Sequence, residues 1–104
     1  MTALSNDLAD LDRLIHEPAR LAILTALSAC TSADFLFLQR LTGLTPGNLS
    51  SHLTKLEAAG LLWVDKQIVS KRTHTEIGLT ETGRDAIDRH WLQLENLHRH
   101  ASEI

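Results

Sequence analysis

Residues 45–62 hold a group of hydrogen-bonding side chains at helical spacing, and binding rather than catalysis is the chemistry that suits them. Thr45 is a favoured helix N-cap, Pro46 a favoured first helical residue, and Gly60 a residue that readily adopts the left-handed conformation after a helix. Between these signals, one apolar stripe recurs at the spacing of a helix face: Leu49, Leu53 and Leu56. The sequence therefore predicts a helix over about residues 46–59 with one buried side.

The side of this predicted helix opposite the leucines is small, polar or basic. It carries no acidic residue and consists of Gly47, Asn48, Ser51, Thr54 and Lys55. A helix that lies in the major groove of DNA needs such a surface, because donors must meet base edges and phosphates repel acidic groups. We therefore predict a recognition helix for double-stranded DNA, and an ordinary solvated helix face is the alternative.

Two helices are predicted at the start of the chain. Ser5 or Asn6 is a suitable N-cap for the first helix. Its apolar stripe consists of Leu4, Leu8, Leu11 and Ile15. Pro18 breaks this helix and starts a second one, through about Ala29, that is apolar nearly all round and should form the centre of the core.

A third, short helix and a tight turn lead into the predicted recognition helix. Thr31 and Asp34 have the spacing of a capping box before a helix over residues 35–42. Gly43, Leu44 and Thr45 then form a three-residue connection between two helices. A bracing helix, a turn with glycine and a second helix are typical of a helix-turn-helix.

After the recognition helix the hydrophobic pattern changes from helical to alternating. Residues 61–64 and 73–79 each predict a strand, and Ser70 is a turn former between them. Lys71 and Arg72 lie beside that turn. The sequence therefore predicts a β-hairpin with a basic tip, over about residues 61–79, in the position of the wing of a winged helix.

The last segment predicts a helix of about 20 residues, over about residues 81–101, that Thr80 caps. Its apolar residues exceed what a small domain can cover, and a symmetric homodimer is the simplest way to bury them together with the first helix. The predicted dimer interface consists of Leu4, Leu8, Leu11, Ile87, Trp91, Leu94 and Leu97.

Length, composition and charge limit the class of protein. The 104 residues suit one domain, and 43% of them are hydrophobic, so a folded, mainly helical (α+β) chain is expected. Nothing resembles a signal peptide, the apolar runs are too short to cross a membrane, and the single Cys30 is expected to be a small core residue in a reducing, cytoplasmic compartment. The net charge is −3, but residues 1–17 carry −3 and residues 80–104 carry −2, so the predicted DNA-binding segments are locally basic.

Three motifs resemble those of winged-helix transcriptional regulators of the MarR/ArsR-like group, in particular compact single-domain prokaryotic members. They are Pro18-x-Arg20-Leu21-x-Ile23-Leu24, Leu49-Ser50-x-His52-Leu53-x-x-Leu56-Glu57-x-x-Gly60-Leu61, and Leu79-Thr80-x-x-Gly83. The resemblance implies a winged helix-turn-helix fold and a dimeric DNA-binding repressor or activator, with the wing on the backbone or the minor groove. It adds Ser50, Lys71 and Arg72 to the residues expected to contact DNA. The complete predicted set is Thr45, Gly47, Asn48, Ser50, Ser51, Thr54, Lys55, Lys71 and Arg72.

Two other functions remain open at this stage, and a third is excluded. The net acidity is compatible with an adaptor or antirepressor that uses a winged helix only to contact proteins. Asp88, His90, His100 and Glu103 are similar in layout to the metal site of zinc-sensing relatives, although His residues on an exposed helix face are the simpler interpretation. His52 is expected to be half-buried or to contact phosphate. No enzymatic motif, cofactor motif or nucleophile–base pair is present in the sequence, and a small-molecule effector is compatible with the fold but unspecified.

Overall fold

The computed structural model describes residue 4 and residues 11–103. Its elements are α1 (Pro18–Ser28), β1 (Ala33–Asp34), α2 (Phe35–Thr42), α3 (Pro46–Ala58), β2 (Leu62–Val69), β3 (Arg72–Leu79) and α4 (Glu81–Ser102). The described residues thus form four helices and a three-stranded antiparallel sheet in the order β1-β3-β2. The predicted α+β winged helix-turn-helix architecture is confirmed.

Most helix boundaries lie where the local signals placed them. The Thr45 side chain accepts a hydrogen bond from the Asn48 N–H at 3.2 Å, and the Thr80 side chain accepts one from the Gly83 N–H at 3.0 Å. Gly43 ends α2 in the left-handed region with φ 71°. A short polar side chain at the N-cap and a left-handed glycine at the end satisfy backbone groups that a helix leaves unpaired.

The start of α2 differs from the prediction. Asp34, not Thr31, is the N-cap, since its side chain accepts a hydrogen bond from the Phe37 N–H at 2.7 Å. The extended backbone of this cap residue (φ −82°, ψ 163°) also lets Ala33 and Asp34 pair with β3 as a short strand that the sequence did not predict.

The first predicted helix lies mostly outside the described residues, and Leu8 with it. Leu4 is helical and half-buried. Leu11 and Ile15 belong to bends and turns, so the prediction of a helix is wrong for them. The Asp12 carboxylate accepts a hydrogen bond from the Leu14 N–H at 2.8 Å, and the Asp12 carbonyl oxygen accepts one from the His16 N–H at 2.7 Å, so Asp12 caps a single turn before Pro18.

The core lies between α1, the helix-turn-helix and the base of the sheet. Ile23, Leu24 and Leu27 of α1 are buried, as predicted for the central helix. The α3 stripe of Leu49, Leu53 and Leu56 is buried as well, with exposed fractions of 0, 4 and 0%. Cys30 is half-buried rather than enclosed. The leucine stripe fixes the orientation of α3 and turns its opposite side outward.

The hairpin covers the predicted residues, but its first strand is longer and its turn tighter than the sequence indicated. Strand β2 continues to Val69, which pairs with Arg72, so the loop consists of only Ser70 and Lys71. Both loop residues have positive φ, 51° and 64°, as a type I′ turn requires. The result is a narrow projecting wing.

Candidate nucleic-acid interface

All nine residues predicted to contact DNA are exposed to solvent in the structure. They are Thr45, Gly47, Asn48, Ser50, Ser51, Thr54, Lys55, Lys71 and Arg72. Seven of them lie on or at the start of α3, and two lie at the tip of the wing. The fold thus leaves these side chains accessible on the two elements that the sequence selected.

The donors on α3 differ in how far they are already engaged. Thr45 caps the helix, and the Thr54 hydroxyl donates to the Ser50 carbonyl oxygen at 3.0 Å. Asn48, Ser51 and Lys55 make no side-chain hydrogen bond within residues 11–103. These three side chains therefore keep their full capacity to contact a ligand.

His52 connects α3 to the beginning of α1. Its Nδ1 lies 3.4 Å from Arg20 Nη1 and 3.9 Å from a Glu17 carboxylate oxygen, and Arg20 Nε donates to the Leu14 carbonyl oxygen at 2.5 Å. Partial burial raises the pKa of the Glu17 carboxyl. Hydrogen bonds from the Arg20 and Ala19 amides, together with the charges of His52 and Arg20, lower it by more, so the net shift of the pKa is downward. We infer that this polar contact helps to fix the rotation of α3. The sequence motif pointed to Arg20 and His52 without showing that they meet.

The two faces of the wing carry different chemistry. Residues directly opposite each other in the register share a face, so Lys66 and Ile68 lie with Thr75 and Thr73 on what we call the inner wing face. A hollow of about 300 Å³ separates this face from α3, and Ser50, Leu53, Thr54 and Glu57 line its helix side. The inner wing face therefore borders the exposed polar side of α3.

The outer wing face carries the acidic residues of the hairpin. Asp65 and Glu76 oppose each other there, and Glu76 Oε1 lies 2.9 Å from His74 Nε2. Arg72 lies on this face near the tip, opposite Val69, and Lys71 occupies the turn itself. The acidic side chains of the hairpin thus lie on the face away from α3, and the tip and the inner wing face are basic or uncharged. The one acidic residue that lines the hollow, Glu57, belongs to α3.

The predicted dimer interface is only partly available on the surface of one chain. Ile87 is fully buried in the core of its own chain, so the prediction that it faces a partner is wrong: α4 uses this residue to pack on the domain. Trp91 is 41% exposed, with its indole N–H donating to the Thr25 hydroxyl at 3.1 Å, and Leu94 and Leu97 are half-buried. Leu92, which the sequence did not select, is 53% exposed.

The late histidines do not form the expected surface arrangement. His90 is 1% exposed, and its Nε2 lies 3.2 Å from His16 Nδ1. Its other ring nitrogen, Nδ1, has no hydrogen-bond partner in the described part of the chain. Among residues 11–103, no group of three or more His, Cys, Asp or Glu could hold a metal ion, so the structure lends no support to a metal-sensing site built on His90.

The buried His90 should make the fold sensitive to acid. Burial lowers the pKa of His90 below its usual 6.5, the charge of His16 lowers it further, and Asp12 acts in the opposite direction. Because the unfolded chain binds this proton more readily, the contribution of His90 is complete above pH 6.5 and is lost as the pH falls below it. We expect the free energy of unfolding, measured in urea at pH 7.5, 6.5 and 5.5, to fall by less in His90→Leu than in the wild type. Equal losses in the two proteins would contradict this assignment.

No helix among the described residues is both long and apolar enough to cross a membrane.

The comparisons with known proteins agree with this geometry. The model of the winged helix DNA-binding domain family matches residues 19–98. An uncharacterized protein of Methanocaldococcus jannaschii, MJ0432, is 31% identical over 85 residues, which cover 82% of this chain and 92% of the relative. A transcriptional regulator homologue from Pyrococcus horikoshii OT3 has 28% identity and a TM-score of 0.82, with coverage of 94% of this chain and 95% of that one.

Two other solved structures share the fold at lower identity. A MarR-family transcriptional regulator from Silicibacter pomeroyi has a TM-score of 0.67 at 24% identity, covering 94% of this chain and 65% of the other. The transcriptional repressor CouR, solved on a 23-mer DNA duplex, has a TM-score of 0.74 at 21% identity, covering 94% and 66%.

The fold and the exposed helix thus define a winged-helix protein of the kind found in transcriptional regulators. The chain belongs to the winged helix DNA-binding domain family. The winged-helix fold that the sequence resemblance implied is confirmed, and it is the fold of a MarR-family regulator as well.

Proposed function

We propose that this chain is a sequence-specific transcriptional regulator that binds double-stranded DNA as a homodimer. Helix α3 would lie in the major groove, and the basic wing would lie on the backbone or in the minor groove. The observation that carries the proposal is the exposed side of α3. Asn48, Ser51 and Lys55 are exposed there, on the side of the helix opposite three buried leucines. CouR, which shares the fold, has been solved on DNA, and this supports the same use here.

The distribution of charge supports DNA as the partner despite the net charge of −3. Potentials near a surface are screened over about 8 Å at physiological salt, so the charges next to a phosphate matter more than the total. Lys55 on α3 and Lys71 at the wing tip are exposed, whereas Asp65 and Glu76 lie on the outer wing face. The surface shared by α3 and the inner wing face is therefore suited to a polyanion.

Helix α4 supports a dimer. Its 22 residues span about 33 Å, and Ile87 and His90 are its last buried residues. Trp91 and Leu92 are exposed beyond them, which leaves apolar surface for a second copy. Two chains related by a twofold axis would present two α3 helices to half-sites about one turn of DNA apart. We place this regulator in the cytoplasm, where a prokaryotic chromosome lies.

We expect substitutions on α3 to separate base reading from phosphate binding. Asn48→Ala should relax sequence preference by about 1–3 kcal/mol at one base position, because amide groups can pair with base edges. Lys55→Ala should weaken binding to all sequences and reduce the slope of log affinity against log salt by about 1. Gel shifts with specific and random duplexes at several salt concentrations measure both effects.

Arg89→Ala is the matched control, since it removes an exposed positive charge from α4 instead of α3. It should leave both the affinity and the salt slope close to those of the wild type. If Asn48→Ala and Lys55→Ala weakened specific and random DNA equally, α3 would not be reading bases.

A protein-binding adaptor is the second candidate, and the acidic outer wing face favours it. Asp65 and Glu76 form a like-charged pair on that face that DNA would avoid and a basic protein partner would accept. Under this alternative, none of the α3 substitutions would change affinity for DNA.

A further inference from the structure

The tip of the wing carries an apolar side chain that the protein itself leaves uncovered. Ile68 is 81% exposed, the largest value for a bulky apolar residue among the described residues. It lies on the inner wing face, two residues beyond Lys66 and opposite Thr73. Neither the core nor the predicted basic contact of the wing accounts for it.

The surroundings of Ile68 suit the minor groove of DNA. Lys66, Lys71 and Arg72 surround the tip with positive charge, and the two-residue loop keeps it narrow. Val64 borders the hollow beside α3, and Ile68 lies four residues, or about 14 Å, farther along β2. That reach is comparable to half a turn of DNA, about 17 Å, which separates a major groove from the next minor groove.

Resting on the proposed function, we propose that Ile68 is a specificity-determining residue that enters the minor groove next to the α3 site. Apolar side chains used in this way wedge against a base step and partly unstack it. Steps that deform easily, such as TA and CA/TG, then bind better although no hydrogen bond reads them. The wing would thereby select for deformable DNA, and Lys71 and Arg72 would hold the flanking phosphates.

Val69 provides a matched control for Ile68. It is the next residue, is also β-branched, and is 54% exposed, but it lies on the outer wing face opposite Arg72. Because both side chains are exposed, Ile68→Ser and Val69→Ser should each leave the urea midpoint of unfolding close to that of the wild type.

The test is a selection from one random duplex pool with wild type, Ile68→Ser and Val69→Ser in parallel. Wild type and Val69→Ser should enrich the same central motif with a deformable step at a fixed distance of about half a turn on its flank. Ile68→Ser should keep the central motif and lose the flanking preference. On the most enriched wild-type duplex, Ile68→Ser should bind about tenfold more weakly at every salt concentration, with an unchanged salt slope because no charge is lost.

The other outcomes overturn the inference in distinguishable ways. An unchanged flanking preference in Ile68→Ser, or an equal loss in Val69→Ser, would show that the apolar tip does not enter the groove while leaving α3 binding intact. A pool in which the wild type enriches nothing would end the proposed function itself. Sedimentation with phosphatidylserine vesicles that depends on Ile68, with no effect on DNA, would assign the tip to a membrane surface instead.

Discussion

Gly83→Ala should strongly destabilise the fold. A β-carbon at this position would lie 2.6 Å from the carbonyl carbon of Leu61 and would overlap the carbonyl oxygen itself. That oxygen cannot move away easily, because it accepts the Thr80 N–H at 3.1 Å where β2 meets α4. The new β-carbon would clash with backbone atoms of Leu61, and no flexible side chain could move to relieve the clash. We therefore expect a loss of about 3 kcal/mol or more in the free energy of unfolding, measured by urea denaturation.

Gly47→Ala is the matched control for this substitution. Gly47 is also helical and near a helix start, but a β-carbon there would meet nothing within 4 Å. Alanine costs less backbone entropy than glycine in a helix, so this variant should be unchanged or up to about 1 kcal/mol more stable. A Gly83→Ala protein as stable as Gly47→Ala would mean that α4 does not approach Leu61 as described.

Leu56→Ala should remove the apolar support beneath α3. Leu56 is fully buried between α3 and the rest of the core, and its truncation leaves a cavity in addition to the lost apolar burial. Such substitutions cost about 2–5 kcal/mol, a large part of the 5–15 kcal/mol typical of a domain. Thermal unfolding should show the loss as a midpoint lowered by at least about 8 °C.

The adjacent Lys55→Ala is the control, since Lys55 is exposed and makes no hydrogen bond within residues 11–103. It should change stability by less than about 0.5 kcal/mol while still weakening DNA binding. The two variants therefore distinguish a residue that holds α3 on the core from a residue of α3 that contacts DNA. Equal stability of Leu56→Ala and Lys55→Ala would contradict the assignment of Leu56 to the core.

Features set by neighbouring residues could be predicted from the sequence. Thr45, Pro46 and Thr80 act within one helical turn of their own positions, and Gly43 needs only its own backbone freedom. The leucine stripe of α3 is likewise a periodic signal, and the polar side of the helix follows from it. These local rules were sufficient to predict α3 and its exposed candidate residues.

Features that depend on distant contacts could not be predicted in the same way. Strand β1 is two residues long and exists because Ala33 and Asp34 meet Ile77 and Glu76. The contact between His16 and His90 joins residues 74 positions apart. Ile87 belonged to an apolar stripe in the sequence, but its burial depended on how α4 packs on the rest of the chain.

The wing shows the same division within one element. Alternation identified a hairpin, and Ser70 marked its turn. The separation of Lys66 and Ile68 from Asp65 and Glu76 required the strand register, which follows from the Val69–Arg72 pair next to the turn. The exposed Ile68 had no signal in the sequence, because an isoleucine in a strand is ordinarily a candidate for burial.

Selection from a pool of random duplexes, followed by sequencing, tests the central claim most directly. A homodimer that reads bases through α3 should enrich an inverted repeat whose half-sites have centres about 10 base pairs apart. Recovery of sequences with no common motif, from a protein that is folded and pure, would contradict the claim that this chain reads DNA.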